Sequence, residues 1–184
     1  MDVVVALHVA AALLLILAGV AKIIRPVPTT DLLVSFGMPE VPAVVVVIGL
    51  VESAVGVLAL VVGGPLLAAA TGVLYLGFLA VVWRALVTGA TTCGCFGRVN
   101  APPSWLHIVG NAGFAAVSFV AVAGQTPTQV MAEGPAGGVV FVLGSGMIAG
   151  LALVAFTAVP EALAARRGTP SSARFHINGE RPNQ

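Results

Sequence analysis

VVVALHVAAALLLILAGVAKII, residues 3–24, decides what kind of molecule this is. Between Val3 and Ala21 the only polar side chain is His8. Wound as a helix at about 1.5 Å per residue, the run reaches across the ~30 Å hydrocarbon layer of a bilayer. It exceeds the roughly 7–15 apolar residues of a secretory signal and has no basic stretch before it, so it reads as a retained first membrane span.

Working outward, four further apolar segments of similar length follow, at about 41–62, 65–87, 104–124 and 138–159. None shows the polar alternation of a barrel strand. Lipid offers no partner to an open backbone, so each is expected to be helical. The expected fold is all-α: a polytopic membrane bundle of four core helices plus a fifth, over residues 1–160, with a polar, disordered tail over 161–184. Composition agrees. Hydrophobic residues make up 59% and charged residues 8%, against about 25% charged in soluble domains. A net charge of +1 with scattered basic residues excludes a nucleic-acid track. No phosphate loop or dinucleotide fingerprint is present.

The connections differ in character. The first carries Arg25-Pro26-Val27-Pro28, where two prolines are expected to stop the helix and favour extended backbone, with Thr30-Asp31 capping a short interfacial helix that reaches Val34 or Ser35. The second is only Gly63-Gly64-Pro65, a tight hairpin. The third, about Thr88 to Pro103, holds both cysteines of the chain. The fourth, Gln125 to Gly137, is polar and contains Gly and Pro. Small residues four apart (Gly49 and Ser53, Ala68 and Gly72, Gly146 and Gly150) mark expected helix contacts.

With five spans, the first and third connections and the tail share one side of the membrane. All eight Lys and Arg fall there: Lys22, Arg25, Arg84, Arg98, Arg166, Arg167, Arg174 and Arg181. The positive-inside rule makes that side cytoplasmic. A working disulfide favours an oxidising compartment instead. Either way, Lys22 and Arg25 share a side with the cysteines.

Chemistry centres on Cys93-Gly94-Cys95-Phe96-Gly97. A disulfide from i to i+2 is strained and easily reduced, and it constrains little unfolded chain, which suits electron exchange better than stapling. Gly94 eases the backbone, and Arg98 favours a nearby thiolate. Two inert small residues, or a two-thiolate site for a soft ion such as Cu(I), are the competing readings. Glu52 lies mid-span, where a carboxylate must be protonated, paired or wet; it is either functional or a polar fastener between helices. Lys22 reads most simply as a cation snorkelling to the interface. His107 and Asn111, four apart, share one face of the fourth segment. Trp83, Arg84 and Trp105 read as interfacial anchors, His8 and Tyr75 as packing residues, and His176 as part of the tail.

Several of these residues carry a resemblance. Ala18-Gly19-Val20-Ala21-Lys22-Ile23, Gly37-Met38-Pro39, Glu52 with Gly56, Phe78, Gly89, the Cys93-Gly94-Cys95-Phe96-Gly97 element and Asn111 together resemble the methylamine utilisation protein MauE family, within the broader DoxX-like membrane proteins. The similarity covers about residues 3–124. It implies a four- or five-helix bundle in the plasma membrane. It also implies a thiol–disulfide role in maturing an exported client, in the type case the small subunit of methylamine dehydrogenase, together with a separate thioredoxin-like partner. Such a role puts the cysteines on the exoplasmic face, against the charge count. In this reading Cys93 and Cys95 are the redox pair, Arg98 and Lys22 tune it, Glu52 and Asn111 support it, and a quinone serves as the far acceptor. A transporter or metal-handling protein built on Glu52, and a membrane assembly scaffold, are the rival readings.

Overall fold

The computed structural model of the chain describes residues 3–90, 103–124, 126–132 and 135–167. Seven helices run through these residues: α1 (Val3–Ile24), α2 (Val27–Ser35), α3 (Pro42–Val61), α4 (Pro65–Thr88), α5 (Trp105–Ala121), α6 (Pro127–Ala132) and α7 (Pro135–Arg167). No strand occurs among the described residues. Four of the helices, α1, α3, α4 and α7, are long and apolar enough to cross a bilayer. At 17 residues, α5 is shorter; its length is ~26 Å at 1.5 Å per residue. The protein is a multi-pass membrane protein.

Helix α1 runs through the middle of the bundle and is the most enclosed of the four spans. Its centre is Ala10-Ala11-Ala12, fully buried, and side chains this small let neighbours close in from several directions. Toward its start, Val5 and Val9 pack with Phe141 of α7 and Val130 of α6. Further along, Leu14 meets Ala149 of α7, and Ala11 meets Tyr75 of α4 and Ala115 of α5. Two polar ties reinforce this. The Tyr75 hydroxyl donates to the Ala11 carbonyl at 2.7 Å, and His8 Nδ1 lies 3.2 Å from Ser118 Oγ.

The closest helix pair is α1 against α3, antiparallel. A Cβ on Gly56 would stand 2.8 Å from the Ala12 carbonyl oxygen, and one on Gly19 would stand 2.5 Å from that of Gly49. Lipid supplies no hydrophobic force between helices, so close backbone approach provides the contact. Gly49 and Ser53 thus meet a neighbouring helix as their spacing predicts, and Gly72 does so against Phe119. Gly146 and Gly150 do not: a Cβ at either would meet nothing within 4 Å. On α7 the inward face belongs to Phe141, Ser145, Ala149 and Phe156, spaced one or two turns apart and off the glycine stripe.

Two connections and the end of the last helix differ from expectation. α1 ends at Ile24, before the prolines, as expected, but Pro26 and Pro28 then open α2 where extended backbone was expected. Pro26 is the residue before α2, with αR backbone, and Pro28 falls in the first turn, where a missing N–H leaves nothing unpaired. Thr30 is not the cap; its hydroxyl donates back to the Pro26 carbonyl at 3.0 Å. The fourth connection contains α6, opened by a reciprocal cap: Thr126 N–H donates to Gln129 Oε1 at 2.8 Å and Gln129 N–H to Thr126 Oγ1 at 3.3 Å. Finally, α7 continues through Pro160 to Arg167. The second connection is the tight turn expected, with Gly63 and Gly64 both at positive φ.

Candidate functional site

Glu52 sits midway along α3 and has no exposed surface. Its partner is Lys22, near the end of α1, which lies only 4% exposed. Lys22 Nζ stands 2.8 Å from Glu52 Oε2. The snorkelling role expected of Lys22 is therefore incorrect. Because α1 and α3 run antiparallel and touch at Gly19 and Gly49, Lys22 Cβ packs beside Gly49, and the long lysine stem runs along α3 into the bundle to reach Glu52. The lysine stem is directed at Glu52 and not toward the interface. Of the three states open to a mid-span carboxylate, Glu52 takes the paired one. Phe78 of α4 completes the group, with Lys22 Nζ 4.9 Å from its ring centroid.

One carboxylate oxygen remains unused. Glu52 Oε1 is buried without a hydrogen-bond partner, as is the hydroxyl of neighbouring Ser53. An orphaned charge-bearing oxygen in so apolar a setting is costly and calls for an explanation. Beside the pair lies a cavity of about 360 Å3, between α3 and α4 and roofed by Thr29 and Leu32 of α2. It arises because α3 packs along α1 while α4 packs along α5, and the Gly63-Gly64 turn ties α3 to α4 only at the far end.

Asn111 and His107 lie elsewhere. Both are buried on one face of α5 and line a second, much smaller cavity of about 20 Å3, with Tyr75, Phe78 and Phe156. That is room for one water molecule. Ser104 Oγ stands 2.8 Å from His107 Nδ1, and Phe156 stacks on the imidazole at 5.4 Å between centroids. Phe78 lines both cavities. The structure thus groups Lys22 with Glu52 and His107 with Asn111, on either side of one aromatic ring. Phe78 and the α2 residues Thr29 and Leu32 carry no titratable group, so a search for reactive side chains passes over them.

Cys93, Cys95 and Arg98 lie outside the described residues, as does His176. The helices flanking the cysteine connection are placed: Trp83 near the end of α4 meets Trp105 at the start of α5, edge to face, with centroids 5.8 Å apart. Both are exposed, as an interfacial anchor requires. Arg84 is also on the surface, over the ring of Phe36 at 5.1 Å, which fastens α4 to the turn after α2. The cysteine connection therefore leaves the bundle at the same end as Lys22 and α2. Among the described residues, no three His, Cys, Asp or Glu side chains come together as a metal set.

Comparison with curated proteins gives no match, and neither does comparison with solved structures. The family model for methylamine utilisation protein MauE matches residues 2–124 of the 184. That span takes in α1 to α5 and every residue around the two cavities except Phe156, and by it the chain belongs to the methylamine utilisation protein MauE family.

Proposed function

We propose that this protein is a thiol–disulfide component of the plasma membrane, with Cys93 and Cys95 as its redox pair, supporting disulfide formation in an exported partner. The observation that carries the reading is the pairing of the chain's two cysteines one residue apart, in the connection between α4 and α5 of a MauE-family bundle. Arg98, three residues beyond Cys95, favours the thiolate that attacks or leaves. A strained i to i+2 disulfide is a ready oxidant toward a thioredoxin-like protein, which passes the oxidation to the client. The family's name supplies the methylamine setting, in whose type case the client is the small subunit of methylamine dehydrogenase. Lys22, Glu52 and Asn111 act inside the bundle, behind the cysteine connection.

Thiol trapping in native membranes tests this. Cys93 and Cys95 should be found in both dithiol and disulfide forms, shifting toward the dithiol when reduced client accumulates. Replacing both with serine should leave the client reduced. A pair locked in one state under every condition, or a fully oxidised client in the double-serine strain, would overturn the proposal.

A further inference from the structure

Asn111 brings a carboxamide into the apolar interior. It stands six residues after Trp105 in α5, about 9 Å along the helix, and is only 7% exposed. A carboxamide carries an acceptor oxygen and a nitrogen with two donors, and burying it unbonded is costly. Yet among the described residues nothing bonds to it. Unlike Glu52 Oε1, its polar atoms are not sealed off. Asn111 lines the small cavity between α1, α4, α5 and α7, and that is where its remaining surface opens.

The cavity has the size and the walls for one water molecule. Its volume of about 20 Å3 exceeds the ~10–15 Å3 that a single water requires and is far below the ~300 Å3 at which pockets for organic ligands begin. A second polar group stands in the wall. Tyr75 gives its hydroxyl proton to the Ala11 carbonyl, so its oxygen keeps acceptor capacity. A hole lined only by carbon stays dry, whereas one that holds a carboxamide and a phenol oxygen suits a water. Leu14, Ala18 and Phe78 close much of the rest. Phe156 of α7 completes the wall, seated against Gly110 with no room between them for a Cβ.

We infer that this cavity is the binding site for a single water molecule, held between the Asn111 amide and the Tyr75 oxygen. The water donates one hydrogen to Tyr75. Toward Asn111 it acts as donor or acceptor, so either end of the carboxamide is satisfied. It thereby ties α4 to α5, the two helices that flank the cysteine connection. The inference is independent of the thiol–disulfide reading and uses neither cysteine.

Aromatic rings already in the chain report the water. Under X-ray radiolysis, hydroxyl radicals form from water where it stands and oxidise the side chains beside it. Full-length protein in lipid nanodiscs is irradiated, and oxidised peptides are quantified by mass spectrometry. Tyr75, 3% exposed, lies at the site; Phe141, 1% exposed, lies in the apolar cluster toward the start of α1 and is the dry control. After correction for the intrinsic reactivity of the two rings, Tyr75 should be oxidised at least fivefold faster than Phe141. Asn111→Leu removes the carboxamide at similar volume and should bring Tyr75 down to the rate of Phe141. If that variant fails to fold, the comparison of the two rings in the unaltered protein still decides. Tyr75 as unreactive as Phe141 would overturn the inference, and so would fast oxidation of Tyr75 that persists in folded Asn111→Leu protein.

Discussion

Gly49 approaches Gly19 so closely that a Cβ on Gly49 would stand 2.6 Å from the Gly19 carbonyl oxygen. Each glycine precedes one member of the buried ion pair by three residues. The contact therefore sets the reach between Lys22 and Glu52 as well as the packing of α1 on α3. Gly49→Val should separate the helices and cost about 1–3 kcal/mol, the usual range for overpacking. Gly113→Ala, where a Cβ meets nothing, should cost less than about 0.5 kcal/mol. Unfolding in mixed micelles of rising SDS fraction measures both. Equal stability of the two variants would refute the close approach.

The ion pair should behave as a unit. Removing one partner leaves the other charge buried, which costs about 3–5 kcal/mol, whereas replacing both with apolar residues of similar volume is often close to neutral. Lys22→Met and Glu52→Leu should each lower stability strongly, and the double variant should be more stable than either single one. The same SDS titration reports this. Effects that simply add would mean that the two residues do not interact.

Tyr75→Phe removes one hydrogen bond, to the Ala11 carbonyl, and leaves the ring in place. Because that carbonyl also belongs to the α1 helix, the loss should be modest, about 0.5–1.5 kcal/mol. A larger loss would mean that the hydroxyl's place at the small cavity lined by His107 and Asn111 counts for more than its tie to α1.

An exported client requires cysteines on the exoplasmic face. After mild reduction of intact cells, a membrane-impermeant maleimide should label Cys95. Labelling only after lysis would place the pair in the cytoplasm, as the positive-inside rule has it, and would rule out an exported client. Lys22 no longer weighs in that balance, since its charge is neutralised inside the bundle; the other seven cations still do.

How much of this was legible in the sequence depends on the kind of residue. The spans could be read because lipid demands long apolar helices, and the Gly63-Gly64 turn because only glycine takes positive φ freely. The short helix ending at Ser35 was legible, but its start at Val27 was not, because proline reads as a breaker unless its place in the first turn is known. The α6 helix carried a readable signal, Thr126 followed three residues later by Gln129, hidden in a loop-like composition. The pairing of Lys22 with Glu52 was not readable from either residue alone. It follows from which faces of α1 and α3 meet, and hence from Gly19, Gly49 and Gly56, whose effect is a distance and not a chemistry. The larger cavity was illegible for the same reason: it is the space left where α3 and α4 follow different neighbours.

The ion pair also bears on how the chain enters the bilayer. Lys22 belongs to α1 and Glu52 to α3, the span that follows it in the chain. An acidic side chain at the centre of a lone span raises the free energy of insertion by about 2.5–3.5 kcal/mol on translocon scales, and a partner already waiting offsets part of that. α1 and α3 therefore have reason to leave the translocon together, as a helical hairpin already neutral at its core, onto which the later helices assemble.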